Sequence, residues 1–177
     1  MKKFKVILIL LLLFFVIYFL QLNFFSWFNI GGIMPNLIVV LVLFIGLFVG
    51  KKVGVILGIV FGMIIDLNIG KSLGITSILL GAIGLLGEYL DKNFSKDSRV
   101  TIIIMSAAST LIYEVATYVI SIFQNGVTPE ILTFTLTLLV EILFNTMLII
   151  IFFPLMKKLG YYLEESFKGK KLLTRYF

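Results

Sequence analysis

The sequence predicts an all-α integral membrane protein, a bundle of six transmembrane helices, and three observations carry the prediction. Six apolar runs, near 6–22, 36–49, 53–66, 72–90, 100–123 and 131–153, together with the short loops between them take up nearly all of the 177 residues. Hydrophobic residues make up 60% of the chain and the mean hydropathy is +1.16, where long apolar stretches mark membrane spans. If each run crosses once, fourteen of the fifteen Lys/Arg residues fall on one side and only Lys71 on the other. Short cytoplasmic loops collect Lys and Arg. Both termini are therefore expected in the cytoplasm, with the loops near 23–35, 67–71 and 124–130 outside, in a single transmembrane domain spanning 1–177.

Composition excludes several kinds of chemistry. The chain has no Cys and no His, so thiolate metal sites, iron–sulfur clusters, His-ligated haem and His acid–base catalysis are not expected within it. No cofactor and no metal site is expected. The net charge of +6 sits in juxtamembrane loops and reads as topology plus attraction to anionic membrane lipid, not as a nucleic-acid footprint.

Run 6–22 follows Met1-Lys2-Lys3-Phe4-Lys5 like a signal peptide, but Phe14, Phe15, Tyr18 and Phe19 continue it to Gln21-Leu22-Asn23 with no small-x-small site. A retained first helix is expected. The following Phe24, Phe25, Trp27 and Phe28 suit the outer membrane–water interface. Run 36–49 opens after Pro35, read as a first helical residue. It is short, about 21 Å at ~1.5 Å per residue, against a hydrocarbon core of about 30 Å. Lys51-Lys52 then joins it to the similar run 53–66. Two short crossing helices with local bilayer thinning are expected, because a re-entrant hairpin leaves two ammoniums near the midplane.

Gly46, Gly50, Gly54, Gly58 and Gly62 recur four apart, and Asp66, Gly70 and Gly74 continue the register. Residues four apart share a helix face, and small-residue strips let membrane helices approach closely. Gly81, Gly84 and Gly87 form a three-spaced strip on run 72–90. The inner loop Asp91–Arg99 reads as solvated. The outer turn Gln124–Glu130 offers Thr128 as a cap. The tail after Pro154, with its tyrosines and lysines, reads as an interfacial anchor.

Three carboxylates fall inside runs: Asp66, Glu114 and Glu141. Charged groups there are costly and face protein or pair. Asp66 shares the glycine face and is placed to accept N–H groups near Ser72 and Leu73. Glu114 has Thr110, Thr117 and Tyr118 about a turn away, and Glu141 has Thr137 and Asn145. They read as a proton or cation path, or as polar contacts between helices or with a partner helix. No catalytic constellation is visible.

At Pro35-Asn36-Leu37 and at Gly54-x-x-x-Gly58-x-x-x-Gly62-x-x-x-Asp66-x-x-x-Gly70-x-x-x-Gly74 the chain resembles the MreD family of rod shape-determining membrane proteins. Family members usually carry Pro-Asp-Leu where this chain has Pro-Asn-Leu. The resemblance implies a non-enzymatic subunit of the cell-elongation machinery. It implies association with an MreC-like protein, and through it with MreB filaments and the RodA/penicillin-binding-protein pair that builds peptidoglycan. It also implies a fold similar to the substrate-binding subunits of energy-coupling-factor vitamin transporters. Such a transporter subunit is the alternative reading, though the first run lacks the Ala-x-x-x-Ala patch those proteins often carry. A small ion channel or carrier is a third, resting on the three carboxylates alone.

Overall fold

The structure, a computed structural model, describes residues 2–69, 74–126 and 130–169. Its described residues form helices, and Ile30 and Ile33 make an isolated pair around Gly31-Gly32. Helix α1 runs Lys2–Phe19, passes through a π-helical turn at Leu20–Phe24 and ends with Phe25–Trp27. Then come α2 (Leu37–Phe48), α3 (Lys51–Ile69), α4 (Ile75–Asn93), α5 (Arg99–Asn125) and α6 (Ile131–Lys168). By length and composition three can cross a membrane: Lys3–Trp27, Arg99–Gln124 and Ile131–Lys168.

Helix α1 outlasts the apolar run that announced it. Asn23, read as the start of a loop, sits inside the helix because its Nδ2 donates to the Phe19 carbonyl at 2.9 Å. Of the four aromatics expected at the outer surface, Phe24, Trp27 and Phe28 are exposed. Phe25 turns inward, edge-on to Phe144 with ring centroids 5.9 Å apart. Helix α6 also exceeds its run. It continues through Pro154 to Lys168, 38 residues or about 57 Å at ~1.5 Å per residue, so its last turns extend past a core of about 30 Å.

The short helix α2 is the hub. Ile38 through Phe48 are all buried, and α2 touches each of the other five helices. An all-round apolar helix belongs in an interior, and protein surrounds this one. Pro35 is not its first residue. Pro35 is buried one step before Asn36, which is the cap: its Oδ1 accepts from Val39 N at 3.4 Å.

Helices α3 and α4 make the most extensive pairing in the fold, with α2 against α4 next. Glycine makes both possible. A Cβ on Gly54 would lie 2.9 Å from the Gly84 carbonyl oxygen and 3.0 Å from Gly46 Cα. One on Gly87 would lie 2.8 Å from Gly46 Cα. Gly46, Gly54, Gly84 and Gly87 thus bring three backbones together at one point. Farther along, Gly58 abuts the Leu80 carbonyl and Gly62 abuts the Ser77 backbone. Such contacts supply the dispersion and polar attraction that hold helices together in lipid, where the hydrophobic effect does little. Gly50 and Gly74, in the same four-residue register, stand outside the packed strip. Their φ values of 114° and 97° place them in turns that disfavour side chains. Gly70 lies outside the described residues, as do Lys71, Ser72, Leu73 and Thr128.

Candidate functional site

Two carboxylates cap the α3–α4 pair, one at each end. Asp66, on α3 and buried, accepts from Gly74 N at 2.9 Å, Ser77 N at 3.3 Å and Ser77 Oγ at 3.2 Å, all through Oδ2. These groups open α4, whose own N-cap, Gly74, has no side chain to offer. At the opposite end Glu88, on α4, accepts the Lys51 backbone N–H that opens α3. Each helix therefore closes the other's N-terminus, where unpaired N–H groups and the helix dipole favour negative charge. Glu88 carried no signal in sequence as a cap, because it lies 37 residues from its donor.

The second assembly joins the start of α2 to α5 and α6. Asn36 Nδ2 donates to Glu114 Oε1 at 3.2 Å, and Asn36 N donates to Asn145 Oδ1 at 3.0 Å. Asn145 Nδ2 donates to Thr110 Oγ1 at 3.1 Å. The carboxyl groups of Glu114 and Glu141 stand within hydrogen-bonding reach of each other. Thr110, Glu141 and Asn145 are buried. Tyr113, beside Glu114, meets the Thr76 hydroxyl on α4, the residue before Ser77, so the polar residues of α3 through α6 approach one another at this end of the bundle.

The structure thus brings together Pro35, Asn36, Glu114, Glu141 and Asn145, and sets Asp66 nearby with a separate structural task. It does not use the same-helix neighbours expected for the two glutamates. Thr117 Oγ1 donates to the Tyr113 carbonyl at 2.8 Å and Thr137 Oγ1 to the Thr133 carbonyl at 2.9 Å. Tyr118 stacks on Phe134 with centroids 4.0 Å apart. In an apolar interior a hydroxyl satisfies itself on the nearest free helix carbonyl, which leaves the glutamates to find partners on other helices.

A third assembly lies at the other end, in the loop read as solvated. Lys96 is drawn inward, its side chain 12% exposed. Its Nζ lies 3.0 Å from Asp91 Oδ1 and 2.9 Å from Glu164 Oε2, 3.4 Å from the Leu47 carbonyl and 5.0 Å from the Phe48 ring centroid. The ammonium closes the C-terminus of α2, where a cation suits the dipole, and its stem lies along apolar surface. Beside it Asp97 accepts from Lys157 at 2.9 Å and from Tyr161 Oη at 2.8 Å. Lys3 rests over the Phe167 ring at 5.4 Å. The start of α1, the α2–α3 turn, the α4–α5 loop and the end of α6 therefore share one basic end.

Among the described residues no group of three or more Asp/Glu side chains is placed to hold a metal ion. What the first two assemblies do chemically is hydrogen-bond across helices and fix how those helices approach.

The family model for the rod shape-determining protein MreD matches residues 1–159 of the chain. No curated protein and no solved structure matches it.

Proposed function

The chain belongs to the MreD family, a family of rod shape-determining membrane proteins, and from that premise we propose that it is a multi-pass subunit of the elongation machinery in the bacterial cytoplasmic membrane. In this reading all six helices lie in the membrane, with the basic end in the cytoplasm. The subunit acts by binding: it holds the membrane helix of an MreC-like protein, and through it serves MreB filaments and the RodA/penicillin-binding-protein pair during peptidoglycan synthesis. The family match over residues 1–159 is the observation that carries the reading. The gathering of Lys3, Lys96, Lys157 and Lys168 at one end supports the orientation, since cytoplasmic faces concentrate basic residues.

Depletion in the host tests the function. Loss of rod shape is the expected outcome, together with recovery of an MreC-like protein by crosslinking in mild detergent. Normal shape with vitamin auxotrophy, and recovery of an ATPase pair with a coupling subunit, would move the assignment to a transporter.

A further inference from the structure

At the basic end, between the α2–α3 turn, the end of α4 and the end of α6, lies a cavity of about 350 Å³. Four lysines line it, Lys51, Lys52, Lys92 and Lys168, with Glu88 and Asp91. Its remaining wall is apolar or bare: Val49, Val53, Phe167 and Gly50. Gly50 keeps the space open. Its φ of 114° excludes most side chains, and a Cβ there would point toward Glu88 Oε2 at 3.6 Å and Lys168 Cε at 3.7 Å.

The charges in this cavity do not cancel. Glu88 is engaged by the Lys51 N–H and by Lys92, whose Nζ lies 3.1 Å from its Oε1. Asp91 is engaged by Lys96, and Lys168 pairs with Glu164 at 3.3 Å. Lys51 and Lys52 remain, exposed and without an ion pair among the described residues. Two exposed ammoniums without ion pairs beside an apolar wall, at the level where a helix bundle leaves the membrane, match a group with a negative head and a hydrocarbon body. Basic pockets between membrane helices at the cytoplasmic face take anionic headgroups in this way.

We propose that this cavity binds an anionic phospholipid, with its phosphate held by Lys51 and Lys52 and its upper chain laid against Val49, Val53 and Phe167. The site pins the α2–α3 turn to the end of α6 through a lipid. It depends on the chain being a membrane protein and is independent of which partner the chain serves.

The test uses the full chain purified in mild detergent and incubated with phosphatidylglycerol, phosphatidylcholine or inorganic phosphate, with bound lipid read by native mass spectrometry. One lysine near an anionic surface contributes about fivefold in binding, so losing two lowers it roughly 25-fold. Phosphatidylglycerol is expected to stay bound and phosphatidylcholine to be lost. Millimolar inorganic phosphate should not displace the lipid. Lys51→Gln/Lys52→Gln should weaken retention by that factor, and the charge-matched Lys5→Gln/Lys158→Gln should keep it. Because Lys51 and Lys52 also set topology, Phe167→Glu provides a second variant that leaves them in place and puts a carboxylate against the headgroup. It too should weaken retention. Equal retention by wild type, the Lys51/Lys52 variant and Phe167→Glu would overturn the site, as would equal retention of phosphatidylcholine. Displacement by inorganic phosphate would reassign it to a free anion and overturn the lipid.

Discussion

Asp66 and Glu88 stand in a reciprocal relation: Asp66 of α3 caps the start of α4, and Glu88 of α4 caps the start of α3. The two carboxylates lock both ends of the antiparallel pair whose middle is held by glycine contacts. The register of the pair is therefore fixed at three levels, since a slide of one helix along the other breaks both caps and drives Cβ-bearing residues into backbone.

Asp66 is expected to act through its acceptor oxygen. Asp66→Asn keeps an acceptor for Gly74 N and Ser77 N and is expected to retain most stability and function. Asp66→Leu strands three donors, at about 1–3 kcal/mol for each buried group left unpaired, and is expected to lose function. Thermal unfolding in detergent and rescue of cell shape measure both. Equal failure of the two variants would show that the charge itself is required.

The glycines are expected to differ by what faces them. Gly84→Ala pushes a Cβ into the Gly54 backbone, and overpacking of this kind costs about 1–3 kcal/mol. Gly81→Ala meets the Ile59 side chain at 3.0 Å, which is partly exposed and free to shift, so the cost is offset by up to about 1 kcal/mol of helix propensity. Gly58→Leu with Gly62→Leu should be severe. The comparison is of melting temperatures and membrane abundance. A Gly81→Ala variant as unstable as Gly84→Ala would contradict this ordering.

Acid is expected to loosen the α4–α5 loop from α6. Lys157 first, then Tyr161, hold the Asp97 carboxyl below its ordinary value of 3.8. A depressed folded value means that the stabilisation is full above the unfolded value and is lost as pH falls through the folded one. Asp97 is well exposed, so the effect is small, about 0–1 kcal/mol. Asp97→Asn should lower stability slightly near neutral pH and match wild type once the carboxyl is protonated. Melting curves across the acid range check it, and a difference that persists at the acid end would assign the effect to packing.

Reporter fusions test the orientation. Fusions at Asn29, Ile69 and Asn125 are expected to report outside, and those at Lys52, Phe94 and Phe177 inside. An outside signal from Lys52 would replace the six-crossing arrangement with a re-entrant hairpin.

Helix positions were legible in sequence because each apolar run is punctuated by glycine, proline or charge. The ends were less so: Asn23 and Pro154 look like terminators, and both sit inside helices. The glycine register pointed to a close approach, and Asp66 to the turn beyond it. Glu114 and Glu141 were visible as unusual residues, but Asn36 lies 78 positions from Glu114, and periodicity reports only neighbours on one helix. Lys96 was misread for a similar reason. A lysine in a polar loop looks solvated until the fold brings Glu164 and the end of α2 to it. The central place of α2 left no mark either, because an all-apolar segment reads the same whether lipid or protein surrounds it.

The buried hub also dictates an order of birth. Helix α2 has 12 residues, about 18 Å at ~1.5 Å per residue, too short to rest alone in a bilayer about 30 Å thick. It packs more extensively on α4 than on any other helix, and α4 leaves the ribosome some forty residues later. A chain arrested before Ile75 should hold residues 37–48 open to proteases or labelling reagents, and one arrested after Asn93 should protect them. In the six-crossing arrangement these three segments are expected to enter together, so that a lesion in the α4 glycines is felt first as a failure of biogenesis.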